Sequence, residues 1–383
     1  MEIRDVATDD LDALWDLSDR AFGPIPRSER ERAKAPVLEA IDDGRVLGCY
    51  DGGRLVGSGR YLPMEQWWHG AAVPMGGVAS VYVTPEERGR GVGARLAGEL
   101  VELIAKRGMP LSMLYPATAP VYRRVGFEHA GGQYWITLPA EALRTLGAGP
   151  VKVRRAGPDD AAEVVEVLAR AHRTARDSGP FDRGIGHTRH ILSAPDTYAY
   201  LAEDGFLHYR WNGDATGLVV DRAVAASAET ARALWSVVGS GSSTARTVRA
   251  CVSPYDPLLW QLRDRSEDDL CRRSWMLRVV DAPAAIAARG FPAHVATEIM
   301  IGVEDESRPG NAGTWLLSVS GGRGTLTRTD EPAAVRVPAR GLAALFAGVP
   351  VATLRRSGLL EGGDEATDLT AAFTATAFAV DEF

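Results

Sequence analysis

Cysteine is scarce in this chain: three residues in 383, Cys49, Cys251 and Cys271. An odd number without metal-ligand spacing argues against a disulfide framework or a zinc module and fits a reducing compartment. Positive charge is also short. The formal net charge of −7 makes general nucleic-acid binding a poor fit and favours a cationic partner. No apolar run is long enough to span a bilayer. The opening Met1-Glu2-Ile3-Arg4-Asp5 lacks the basic start of a signal peptide. The expectation is a cytoplasmic protein without a membrane partner. What is present, 45% hydrophobic and 24% charged residues, suffices for buried cores, and the length suits two or three domains.

One stretch organises the rest: Val81-Tyr82-Val83-Thr84-Pro85-Glu86-Glu87-Arg88-Gly89-Arg90-Gly91-Val92-Gly93-Ala94-Arg95-Leu96. The valines and Tyr82 of residues 78–83 suit a buried strand, and Pro85 ends it because proline cannot donate to a ladder. After the glycine-rich turn, Leu96, Leu100, Leu103 and Ile104 recur at helical spacing. Strand, glycine loop and helix start together make an anion cradle, since the first helical N–H groups lack intrahelical partners and the helix dipole is positive there. Arg88, Arg90 and Arg95 add cationic donors. No lysine lies in the loop, so a P-loop is excluded, and the alternate glycines do not fit G-x-G-x-x-G.

Around this stretch the pattern predicts strands at 3–6, 45–50 and 54–61, a helix carrying Leu11, Leu14, Trp15 and Phe22, and a hairpin or loop near Trp67 and Trp68. Further on come a strand at 111–115, a short helix and turn through Tyr122, and a strand near 134–138. The opening then repeats. Glu2-Ile3-Arg4-Asp5-Val6-Ala7-Thr8-Asp9-Asp10 is echoed by Lys152-Val153-Arg154-Arg155-Ala156-Gly157-Pro158-Asp159-Asp160, an offset of 152 − 2 = 150 residues. Gly147-Ala148-Gly149-Pro150 reads as the linker. The second copy has no Arg-x-x-Gly-x-Gly after its strand at 223–226, so it is expected to keep the fold without the cradle. His187 and His190 are expected in a loop, and no third metal ligand is evident. Beyond about Asp281, strands at 295–303 and 313–320, a Gly321-Gly322 hairpin turn and helices near 339–346 and 364–373 indicate a third, α+β unit.

Arg88-Gly89-Arg90-Gly91-Val92-Gly93 resembles the Arg/Gln-x-x-Gly-x-Gly/Ala pattern of GNAT acyltransferases. The whole chain resembles the Eis (enhanced intracellular survival) acetyltransferase family, which joins tandem GNAT domains to a sterol-carrier-like C-terminal domain. The fold implied is α+β: a catalytic domain over 1–146, a degenerate GNAT-like domain over 147–281 and a sterol-carrier-like domain over 282–383. The activity implied is transfer of acetyl from acetyl-CoA, without a metal, to primary amines of polycationic small molecules such as aminoglycosides. A protein lysine or N-terminal acceptor, or acyl-CoA binding without turnover, are the alternatives. By the same resemblance the backbone of Val81, Tyr82 and Val83 would hold the acetyl and pantetheine arm. Arg88, Gly89, Arg90, Gly91, Val92, Gly93 and Ala94 would hold the pyrophosphate, and Ala117 and Thr118 would make the next cofactor contact. Tyr122 would be the general acid, and the carboxylate of Phe383 the base. The family's assembly implies a hexamer. Trp67 and Trp68 could line an acceptor pocket or pack a hairpin, and Asp381 and Glu382 are expected to be solvated.

Overall fold

The computed structural model describes residues 1–147, 149–263, 270–363 and 367–383. The duplication seen in the sequence is carried into structure. Strand Glu2–Asp5, a turn of 3-10 helix at Thr8–Asp10 and helix Leu11–Phe22 open the first module. Strand Arg154–Ala156, a turn at Pro158–Asp160 and helix Ala161–Ala175 open the second. In the first module the hairpin is longer than the pattern predicts. Arg54–Trp68 and Ala71–Val83 pair throughout, turning at His69 and Gly70, both at positive φ. Pro63 and Pro74 hid this, but both lie where strand Arg54–Trp68 has passed its pairing with Val46–Asp51, so the lost donors cost little.

The modules share one sheet and exchange their closing strands. Leu270–Val279, from the second module, pairs antiparallel with Leu111–Leu114 of the first. Glu128–Pro139, from the first, pairs antiparallel with Thr247–Val252 of the second, and the two exchanged strands pair with each other. Helix Val92–Lys106 packs Leu96, Leu100 and Ile104 onto the first module's side of the sheet, as its spacing requires. In the second module strand Gly217–Ala225 passes within two residues into helix Ala228–Gly239, capped by Ser227, which accepts from the Thr230 N–H at 3.3 Å. No glycine cradle intervenes. His187 and His190 lie on helix Gly184–Leu192, not in a loop; Gly184 and Gly186 sit in its first turn, where glycine costs least. Among the described residues no group of three or more His, Cys, Asp or Glu side chains could hold a metal ion, and no helix is long and apolar enough to cross a membrane.

Asp256, in the second module, is buried and accepts from the Leu258 N–H at 3.0 Å. Burial raises its carboxyl from the usual 3.8 to about 6. The folded state thus holds this proton more tightly than the unfolded chain. The associated stability is present in full below the unfolded pKa and is lost as pH rises through about 6. Asp256→Asn keeps the accepting oxygen and removes the charge. It is expected to raise stability at pH 7 by about 3 kcal/mol and to give no gain at pH 4, read from urea midpoints at the two pH values.

The third domain is a five-stranded sheet with Thr297–Glu304 at its centre and helices Ala339–Phe346 and Val351–Arg356 against it. Gly321 and Gly322, both at positive φ, make the expected hairpin turn. The last expected helix is found at Thr367–Ala372, and residues 364–366 lie outside those described. This domain is pinned to the modules by charge as well as by packing. Arg278 Nη2 donates to both carboxylate oxygens of Asp305, at 2.7 and 2.6 Å, with both side chains fully buried. Asn311 Nδ2 donates to the same carboxylate at 3.0 Å. Asp305→Ala would leave the guanidinium buried and uncompensated, with an expected loss of about 3–5 kcal/mol, read as a lowered denaturant midpoint.

Candidate functional site

The central strand Ala71–Val83 pairs in parallel with Leu111–Leu114 only from Met75 opposite Leu111 to Gly77 opposite Met113. Beyond Gly77 the two strands part. On its other edge the central strand stays paired with Arg54–Trp68, interrupted by a bulge that sets Ser80 and Val81 against Gly59. Ser80 sits there at φ +55°, a left-handed conformation a non-glycine residue adopts at a cost on the order of 1 kcal/mol or more. The result is a V-shaped gap with unpaired backbone on the open edge of Val81, Tyr82 and Val83.

The cradle closes one end of the gap. Gly89 and Gly91 have φ of +79° and +81°, which L side chains rarely adopt, and Gly91 caps the helix. Arg95 N–H makes the first intrahelical bond, to Gly91 O at 3.1 Å, so the amides of Val92, Gly93 and Ala94 have no partner within the helix. Gly93 has no positive φ, and a Cβ there would meet Val121 at 3.5 Å, an ordinary contact, so the fold itself does not require glycine at this position.

Gap and cradle form one solvent-open cleft of about 1280 Å³. Of the residues singled out in the sequence, Val81, Val83, Arg88, Gly89, Gly91 and Val92 line it, as do Gly93, Ala94, Ala117, Thr118 and Tyr122. Two do not. Arg90 turns back to the buried carboxylate of Glu87, an i,i+3 neighbour that Arg54 also holds at 3.3 Å, because that charge needs a partner. Tyr82 points to the opposite face of the strand, as alternation demands. Its ring meets Phe22 edge-on at 5.4 Å and lines a second cavity. Phe22 and Arg124 line the main cleft and were missed. Phe22, at the end of an amphipathic helix, had read as one more apolar position, yet it is 63% exposed.

Tyr122 is carried on the short helix Ala119–Arg123, and its hydroxyl bonds to no group among the described residues. Burial raises its pKa to about 12, so it is neutral at pH 7. The neighbouring Arg123 and the third domain's Arg340 both donate to Glu128, at 2.7 Å from Arg123 Nη2 and from Arg340 Nε, which fixes this helix against the third domain.

Phe383 lies at the other end of the gap. A Cβ on Gly77, where the strands part, would come within 2.8 Å of its ring. The ring meets Phe181 at 5.3 Å and Tyr115 at 5.8 Å, both edge-on. The tail leading to it is held by both modules. Phe378 N–H donates to Ser178 O, Ala379 N–H to Gly132 O, and the Tyr115 hydroxyl to Asp381 O at 2.7 Å. Asp381 is half-buried in a pair with Arg222, not solvated as expected, whereas Glu382 pairs with Arg273 at the surface and stays exposed, as expected. Trp67 and Trp68 are buried, and Trp68 packs on Trp275 and on Phe346 of the third domain.

Residues 2–130 and 173–279 each match an acetyltransferase (GNAT) domain, and residues 282–379 match a sterol carrier protein domain. A GCN5-related N-acetyltransferase from Kribbella flavida is 42% identical, with a TM-score of 0.97 over 100% of this chain and 98% of that one. Eis1 from Mycobacterium abscessus shares the fold across the full length of both chains, with a TM-score of 0.78 at 23% identity. An uncharacterized N-acetyltransferase of Streptomyces avermitilis is 27% identical over 93% of this chain and 92% of its own length.

Proposed function

Since the chain belongs to the GCN5-related N-acetyltransferase family, we propose that its first module transfers acetyl from acetyl-CoA to a primary amine that attacks the thioester directly. The observation that carries this is the pairing that stops at Gly77 and leaves a gap in line with the free amides of Val92, Gly93 and Ala94. The diphosphate would take those amides, with Arg88 beside them, and the pantetheine arm would pair with the open edge of Val81, Tyr82 and Val83. Ala117 and Thr118 flank the arm. The acetyl group then stops near Gly77, between Tyr122 and Phe383.

The reaction asks for a base and a donor. An alkylamine of pKa near 10.4 is neutral in under about 0.1% of molecules at pH 7. As nitrogen bonds to the carbonyl carbon it must lose a proton, and the main-chain carboxylate of Phe383 would receive it. The carbon–sulfur bond then breaks, and the departing sulfur takes a proton. Full transfer from a phenol near 12 to a thiolate near 8.5 runs uphill by about 5 kcal/mol. Tyr122 therefore serves best as a hydrogen-bond donor to the charge developing on sulfur, while the proton sulfur finally takes comes from the solvent that fills the open cleft.

Polycationic amines such as aminoglycosides are the acceptors the Eis resemblance implies, but Asp381, the half-buried tail carboxylate, is already paired with Arg222. A hexamer belongs to the same reading. Exposed Tyr255 and Trp260, 6.5 Å apart, offer the second module an apolar face for it, and light scattering tests this. The function itself is tested by thiol release from acetyl-CoA, with and without kanamycin and simple amines. Release that no amine accelerates, with acetyl-CoA bound, would reduce the protein to an acyl-CoA binder.

A further inference from the structure

On the face of the central strand opposite the main cleft lies the second cavity, open to solvent and of about 530 Å³. Ser80 and Tyr82 form its floor, while Val81 and Val83 face the cleft, so one strand separates the two spaces. Its walls are apolar, with Trp15 and Tyr82 the aromatic members. No carboxylate lines it among the described residues. It has one charge, Arg60, whose buried Nε has no hydrogen-bond partner. Among the described residues Arg60 makes no ion pair and no side-chain hydrogen bond. Burial presses its pKa down, yet an arginine stays charged.

Arg60 is half-buried, but its Nε is shut away without a partner, which is costly, and a ligand that accepts from this guanidinium would offset the cost. Its surroundings do not supply the missing anion. Arg183, half-buried at the start of helix Gly184–Leu192, feels the charges of Arg60 and Arg222, and the carboxylate of Asp381 that opposes them is bonded to Arg222. The charged groups around Arg60 are therefore mainly positive. A polycation would find no counter-charge here, whereas a planar carboxylate matches the guanidinium fork.

We propose that the amine acceptor carries a carboxylate, which Arg60 receives in the cavity beneath Trp15 and Tyr82 while the amine reaches the thioester at the gap. This rests on the acetyl-transfer reading above and names its substrate class: an amine with an apolar or aromatic body and an anionic end.

The test compares para-aminomethylbenzoate with para-aminomethylbenzamide, which share shape and amine basicity and differ in charge, with kanamycin as the polycation. In the full chain with saturating acetyl-CoA, the benzoate is expected to exceed the benzamide roughly tenfold to a hundredfold in kcat/KM. Arg60→Met is expected to bring that ratio near one, and Arg60→Lys to restore part of it. Circular dichroism and acetyl-CoA binding check the fold, and Arg60→Gln replaces the Met variant if it fails. A ratio near or below one in the unmodified protein, or a ratio that Arg60→Met leaves intact while all amines slow equally, overturns the proposal and leaves acetyl transfer standing. If no amine turns over, the acetyl-transfer reading fails. The anion site is then decided by calorimetric titration of para-acetamidomethylbenzoate into the CoA-bound protein, where affinity that is absent, or unmoved by Arg60→Met, rejects it.

Discussion

Tyr122→Phe is expected to lower kcat about a hundredfold or more while changing the KM for acetyl-CoA little, measured by thiol release. The ring is buried in a cluster with Phe127 and Val125, so phenylalanine keeps the packing and removes one hydroxyl. That hydroxyl has no protein partner among the described residues, so nothing else is left unsatisfied. The loss should fall on the step in which sulfur departs and not on folding. Because burial holds the phenol near 12, its ionisation takes nothing from the rate until pH approaches that value. A variant as fast as the parent would return Tyr122 to a packing role.

Adding a single residue after Phe383 is expected to cost on the order of a hundredfold to ten-thousandfold in kcat, the range for a lost general base. The extension moves the charged carboxylate away from Gly77 and turns that of Phe383 into a peptide carbonyl. The ring can still pack on Phe181 and Tyr115, so thermal stability should hold. Deleting Phe383 removes ring and carboxylate together, and should lower both rate and stability. An extended chain with unchanged kcat would eliminate the base assignment.

The cradle was legible in the sequence because geometry demands a residue type there. Gly89 and Gly91 occupy positive φ, and a helix pattern follows at once. The repeat was legible for a similar reason, since each module starts its first helix with an acidic 3-10 turn. The gap itself was not. It depends on Ser80 at a conformation serine does not favour, held by the pairing around it, and local preference fails at such strained positions. Arg60 was overlooked because an arginine in a strand reads as facing solvent, and only the helices over that face half-bury it. The exchange of closing strands was also out of reach. The pattern of Leu270–Val279 fixes which side chains point inward, but not which neighbour supplies the ladder. Phe383 was assigned by family resemblance alone; what aims it is a set of long-range contacts with Gly77, Tyr115 and Phe181.

The swapped ladder also sets an order on biosynthesis. When the ribosome has made the first module through Leu114, the edge of that strand must wait for residues 270–279, well over a hundred positions later. In the meantime Glu128–Pro139 can stand in as its neighbour, giving a self-contained intermediate that must open to admit the late-arriving strand. A stop introduced between the modules should therefore leave a protein that either closes on itself or aggregates through a bare edge.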